Sequence, residues 1–216
     1  MMLNKKYGLR KIFSNIYESG HWGIDLKRKL LSGGGSRPDL TTPWFEFLTK
    51  FMLNHNFSSM TDVGCGDFQN SFHWLDSFQK NHRKIEYCGV DIYRPLIEKL
   101  SSEYLSYRFE CLDADQERNL LPSAEVIVLK DILQHWPNDL ITDFIQWLQS
   151  KKRFKYLLLC NTSMQKRDWD DVDYPKRHGR GLTISLYPLK KFDFTLESKF
   201  DPNGRNRFKE ISYLKL

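Results

Sequence analysis

The chain has 216 residues, enough for one sizeable hydrophobic core or two small ones, and its 40% hydrophobic, 28% charged and 14% aromatic residues exclude a disordered polypeptide. No apolar run reaches the roughly 18–20 residues that span a bilayer. The net charge of +6 allows an anionic partner without requiring one.

The basic N-terminus, MMLNKKYGLRKIF, is not followed by an uninterrupted apolar stretch, so no secretory signal is expected and the expected compartment is the cytoplasm. Residues 5–18 predict a short amphipathic helix. Gly33, Gly34 and Gly35, between Ser32 and Ser36, mark a flexible turn or a place of close approach, and Pro38 blocks helix continuation. We therefore expect residues 1–40 to form a helical extension, or lid, on a domain of residues 41–216.

Thr42 and Pro43 suit a helix start, and Trp44, Phe45, Leu48, Phe51, Met52 and His55 follow at helical spacing, predicting a helix over 43–55. Strand and helix patterns then alternate. Strands are expected at 59–63, 85–90, 106–111, 124–130 and 156–161, with helices at 70–82, 95–101 and 138–149. This order predicts a parallel sheet with helices on both faces. Two more β-like runs, 194–200 and 208–216, flank a turn built on Asn203-Gly204 and predict an antiparallel hairpin. The expected fold is α/β, Rossmann-like: seven strands, mostly parallel, ending in a C-terminal antiparallel hairpin. Cys65, Cys88, Cys111 and Cys160 lack metal-ligand spacing and read as reduced, mostly buried thiols, so no metal is expected.

The segment Met60-Thr-Asp-Val-Gly-Cys-Gly-Asp-Phe68 lies between a strand and a helix. Gly64 and Gly66 permit a sharp turn that lets a ligand approach the backbone, and the following helix offers free N–H groups. Asp62 stands at the strand end, where α/β folds bind ligands. The next strand ends in Asp91, an acceptor suited to the two hydroxyls of a ribose, and the third ends near Asp113, placed beside an adenine edge.

These segments resemble those of class I S-adenosylmethionine (SAM)-dependent methyltransferases. DVGCGDF is similar to motif I of that superfamily, Gly89-Val90-Asp91 to motif II, Leu112-Asp113-Ala114-Asp115 to motif III and VLKDILQHW (128–136) to motif IV. The resemblance covers roughly residues 40–216. It implies that Asp62, Gly64, Cys65, Gly66 and Asp67 surround the methionine end of SAM. Asp91 would hold the ribose, Ile92 would pack on the adenine, Asp113 and Ala114 would flank it, and the Lys130 backbone would face the sulfonium. One departure stands out: Phe68 occupies the place of the usual third glycine. A nicotinamide-binding fold is the competing reading, but it normally shows GxGxxG, and Gln69 occupies the last position of that pattern.

Methyl transfer to a hydroxyl needs alignment and a proton acceptor. His135 is the candidate general base. Asp131, four residues earlier, would orient or assist it from the same helical turn, and Trp136 would supply an apolar wall. In the N-terminal segment, Trp22 is expected to pack on the cofactor and Arg37 to meet its carboxylate. The long polar and aromatic stretch after the 156–161 strand is expected to roof the acceptor pocket, with Asp170 and Asp173 toward sugar hydroxyls and Arg177 and Arg180 toward an anionic acceptor. The wider pattern, IFSNIYESGHWG with SGGGSR and KDILQHWP, resembles small methyltransferases associated with polysaccharide or glycan genes. That resemblance implies O-methylation of a small molecule or sugar hydroxyl, giving S-adenosylhomocysteine (SAH). A nucleic-acid or protein methyltransferase and a non-catalytic SAM-binding module are the alternatives, nucleic acid being the less favoured partner. No membrane partner is expected, and the sequence does not indicate an oligomeric state.

Overall fold

The computed structural model describes residues 8–23, 32–33, 36–163 and 180–216. Helix α1 (Leu9–Glu18) is followed by a three-residue 3-10 turn (Pro38–Leu40) and α2 (Thr42–Asn54). The core follows as β1 (Ser59–Val63), α3 (Gln69–Asn81), β2 (Glu86–Asp91), α4 (Arg94–Glu103), β3 (Arg108–Cys111), β4 (Val126–Lys130), α5 (Asn138–Lys151) and β5 (Tyr156–Thr162). β6 (Thr195–Phe200) and β7 (Lys209–Lys215) complete it.

The seven strands form one sheet in the order β3-β2-β1-β4-β5-β7-β6. β1 to β5 are mutually parallel, and β7 runs antiparallel to both neighbours, with a register shift between Leu196 and Ser198 of β6. The expected architecture is the observed one. The hairpin strands also insert so that the later strand, β7, takes the inner position.

Strand alternation divides the core into two layers. Val63, Val90, Ile127, Leu129, Leu157, Leu159 and Leu214 pack with α1 and α5. Met60, Tyr87, Val126, Val128, Leu158, Cys160 and Ile211 face α2, α3 and α4. Ile127, Leu157, Leu158 and Leu159 are wholly buried, as expected of central parallel strands covered on both faces. The first and central strands are neighbours although β2 and β3 intervene in sequence, so the chain reverses its winding at β1 and β4. Open α/β sheets bind ligands at such a reversal, outside the carboxyl ends of the strands.

α2 starts without a side-chain cap. Thr42, expected as its cap, is the first helical residue, and Thr41 just before it donates its hydroxyl to the Arg37 and Pro38 carbonyls and accepts from Asn70 of α3. The start of α2 is thereby tied to the helix that follows the glycine loop. Among the described residues, no helix is long and apolar enough to cross a membrane.

Candidate active site

A cavity of about 570 Å³ opens at the carboxyl ends of β1, β2, β3 and β4. Gly64, Gly66, Asp91, Ile92, Asp113, Ala114 and Lys130 line it, joined by Leu9, Phe13 and Tyr17 of α1. A smaller cavity of about 40 Å³ adjoins it beneath the glycine loop, where Asp62, Cys65 and Asp67 face it.

The loop after β1 is shaped for close approach. Gly64 and Gly66 have φ of 77° and 55°, and the Gly64 and Cys65 amides both donate to the Val90 carbonyl. A Cβ on Gly64 would lie 2.0 Å from Ile132 Cδ1, and one on Gly66 would lie 2.2 Å from Ser32 Oγ. Ser32 also accepts from the Asp67 amide at 2.6 Å. Phe68 adopts the left-handed conformation a third glycine would have supplied, with φ of 65°. Its ring turns away from the cavity into a cluster with Tyr87, Tyr104, Tyr107 and Phe109, where it is wholly buried. Left-handed backbone costs a non-glycine residue about 1–2 kcal/mol, which burial of one aromatic ring readily offsets. The bulk that the sequence placed in the loop therefore lies behind it.

Each of the first three strands carries a buried carboxylate at or just beyond its end. Asp62 accepts from Ser71 at 2.6 Å and Tyr87 at 2.8 Å. Asp91 accepts from the Gly66 amide at 3.1 Å, the Tyr93 amide at 3.1 Å and the Tyr17 hydroxyl at 3.2 Å. Asp113 accepts from the Asp115 and Gln116 amides. Burial pushes all three carboxyls up from their ordinary value, and these hydrogen bonds oppose it. Tyr17 stacks on Tyr93 with ring centroids 4.8 Å apart, and burial, then the Asp91 charge, pushes its hydroxyl well above the usual tyrosine value.

α1 is fixed across the ends of β2 and β3. Arg10 donates to the Ile92 carbonyl at 2.8 Å and pairs with Glu117 at 2.7 Å, while Glu117 accepts from the Asp113 amide. Trp22 lines the same cavity, its ring 5.9 Å from Phe13, 5.4 Å from Tyr17 and 5.4 Å from His135.

Two expected arrangements need correction. Asp131 does not share a helical turn with His135. It has φ of 59°, which ends β4 abruptly, and His135 lies in a separate 3-10 turn over Leu133–His135. The Asp131 carboxylate is instead bound by Lys130 Nζ at 2.7 Å and by Lys209 Nζ of β7. Burial alone would raise this carboxyl, but Lys130 and Lys209 outweigh it and hold it well below its ordinary value. Burial lowers Lys130 in turn, and Asp131 more than reverses that. Arg37 also departs from expectation. Asp39, two residues on, accepts from Arg37 Nε at 3.0 Å and from a terminal nitrogen at 2.6 Å, and Arg37 does not line the cavity.

His135 is buried and lines the cavity beside Trp22, Gln134 and Trp136. The Trp136 ring packs edge-on against Phe144, so it forms wall rather than a free stacking face. Arg180 is not among the cavity-lining residues. Its guanidinium donates to the Trp136 carbonyl at 2.9 Å and its amide to the Gln134 carbonyl at 3.1 Å, bracing that wall. Asp170, Asp173 and Arg177 lie outside the described residues.

Sequence reasoning passed over Lys209 and Arg207, which line the cavity from the hairpin. The available signal was the cluster of Arg205, Arg207 and Lys209 between the hairpin turn and the last strand.

No protein-family model and no curated protein matches the sequence. Solved structures do resemble the fold. Magnesium protoporphyrin IX methyltransferase (ChlM) from Synechocystis PCC 6803, with bound SAM, superposes with a TM-score of 0.61 at 15% identity, covering 98% of each chain. The methyltransferase domain of bacterial CtHen1 gives 0.56 at 11% identity, covering 82% of this chain and 100% of that one. The CMeT domain of the citrinin polyketide synthase gives 0.59 at 14% identity over 81% of this chain, which spans 53% of that structure. The chain has the class I methyltransferase fold. Within that fold, the glycine loop, Asp91 and Asp113 occupy the ends of the first three strands, and Lys130-Asp131 closes the fourth.

Proposed function

We propose that this protein is a SAM-dependent methyltransferase that O-methylates a small molecule or sugar hydroxyl. The supporting observation is a cavity bounded by a glycine loop that a Cβ would obstruct and by buried carboxylates on successive strand ends. Those residues fit SAM. The loop would admit its methionine end, Asp91 would accept from the ribose hydroxyls, and Ile92, Asp113 and Ala114 would border the adenine. Bound SAM supplies an electrophilic methyl group. The protein's part is to align the acceptor and exclude water, with Phe13, Tyr17 and Trp22 covering the cavity. His135 takes the hydroxyl proton as the oxygen–carbon bond forms.

Calorimetric titration with SAM and SAH tests the cofactor. Wild-type protein should bind both, and Asp91→Ala, shown by circular dichroism to be folded, should bind at least tenfold more weakly. Absence of binding to the wild type would overturn the reading. The positive net charge keeps a nucleic-acid acceptor as the second reading, distinguished by the strong salt dependence such binding would show.

A further inference from the structure

We propose that the methyl acceptor carries an anionic group, a carboxylate or phosphate, that seats against Lys209 and Arg207 on the hairpin side of the cavity. The inference rests on the methyltransferase reading of this cavity and specifies its substrate class.

The cavity is electrically polarised. Asp91 and Asp113 stand at the ends of β2 and β3, whereas Lys130, Lys209 and Arg207 enter from β4, β7 and the hairpin turn. β2 and β7 are four strand spacings apart in the sheet, which is about 19 Å at about 4.8 Å per spacing. On the cationic side, Asp131 is the one carboxylate among the described lining residues, against the three cations Lys130, Lys209 and Arg207, and it pairs with the two lysines.

Asp131 leaves that side positive and under-bonded. Lys130 and Lys209 each direct one N–H to the same oxygen, Asp131 Oδ2. An ammonium has three donors, so each lysine retains two. Their side chains are only 9% and 7% exposed, so water has little access to those donors. Arg207 makes no ion pair among the described residues and is exposed at the cavity mouth.

The three cations divide between the two ligands. Lys130 also lines the small cavity under the glycine loop, beside Asp62, which assigns it to the cofactor side. Lys209 and Arg207 line only the large cavity, next to Pro202 and Asn203. A neutral acceptor would cover a buried ammonium without matching its charge, whereas an anionic oxygen forms charge-assisted hydrogen bonds with it. The planar guanidinium of Arg207 fits either a carboxylate or a phosphate.

The test titrates SAH-loaded full-length protein with glucuronate, inorganic phosphate and glucose, following binding by calorimetry and NMR. At least one of the two anions should bind at least tenfold more tightly than glucose, and 0.5 M NaCl should erode the difference. Arg207→Ala, a substitution at an exposed position, should weaken anion binding at least fivefold while SAH affinity stays within twofold. Lys209→Met should do the same, and the exposed variant keeps the test decisive if Lys209→Met fails to fold. Failure of both anions to bind better than glucose overturns the proposal. So does anion binding that Arg207→Ala leaves unchanged, or that competes with SAH, which would assign these cations to the cofactor carboxylate. Failure of SAH itself to bind is a separate result, and it removes the underlying methyltransferase reading.

Discussion

Asp131 shows how one side chain can belong to a site without the role its position suggests. Its single carboxylate is shared by two buried ammonium groups, and removing it from such a buried set leaves their charge uncompensated, costing about 3–5 kcal/mol. Asp131→Asn should therefore destabilise the protein by about that amount in urea or thermal unfolding. The pH dependence follows from the direction of the shift. The folded carboxyl lies below its ordinary value of 3.8, so its contribution is complete above that value and is lost as pH falls through the lower folded one. The stability gap between wild type and variant should stay constant from about pH 5 to 8 and close only below about pH 4. A gap that closes by pH 6 would mean the lysines do not hold this carboxylate. His135 carries a different expectation. It lines the cavity as the proposed general base, so His135→Ala should lower turnover about 100-fold or more, the scale of general base catalysis, and leave SAH affinity unchanged. Single-turnover kinetics beside SAH titration separates the two effects.

At the scale of elements, α1 adds a wall to a strand-end cleft and makes it a deeper, still open cavity. Leu9, Phe13 and Tyr17 recur every four residues along one face, so a single helical stripe meets both the core and the cavity. Phe13 also approaches the His135 ring at 6.1 Å. Phe13→Ala should cost about 3 kcal/mol of stability and weaken SAH binding, because it opens a hole in that wall. Equal stability in urea would show that α1 contributes little to the core. This helix also marks the limit of what the sequence makes legible. Short apolar runs bounded by turn chemistry locate all seven strands, because each is marked by its own local sequence. The glycine loop and the carboxylates at Asp91 and Asp113 are legible for the same reason, since each follows directly from a strand end. The partners of Asp131 and Arg37 are not. Lys209 is 78 residues from Asp131 in sequence and reaches it only because β7 inserts beside β5. Arg37 is drawn to Asp39 by a tight local turn that composition does not reveal. The orientation of Phe68 likewise depends on Tyr104, Tyr107 and Phe109, side chains from later elements.

For the molecule as a whole, the sheet joins segments that are distant in sequence. Its centre pairs Met60, Thr61 and Asp62 with Val126, Ile127 and Val128, and its antiparallel end places β7 between β5 and β6. The two layers of core on either face depend on that order, as does the delivery of Lys209 to the cavity. The inner position of β7 has a consequence for biosynthesis. While the ribosome is still translating the hairpin turn, β5 has no neighbour on one side and β6 has no partner at all, so two hydrogen-bonding edges are open together. Such edges template association between chains. Chains stopped after Arg205 should accumulate as aggregates when translated without chaperones, whereas chains extended through Lys215 should remain in the supernatant. Equal solubility of the two products would show that the parallel half of the sheet protects its own edge.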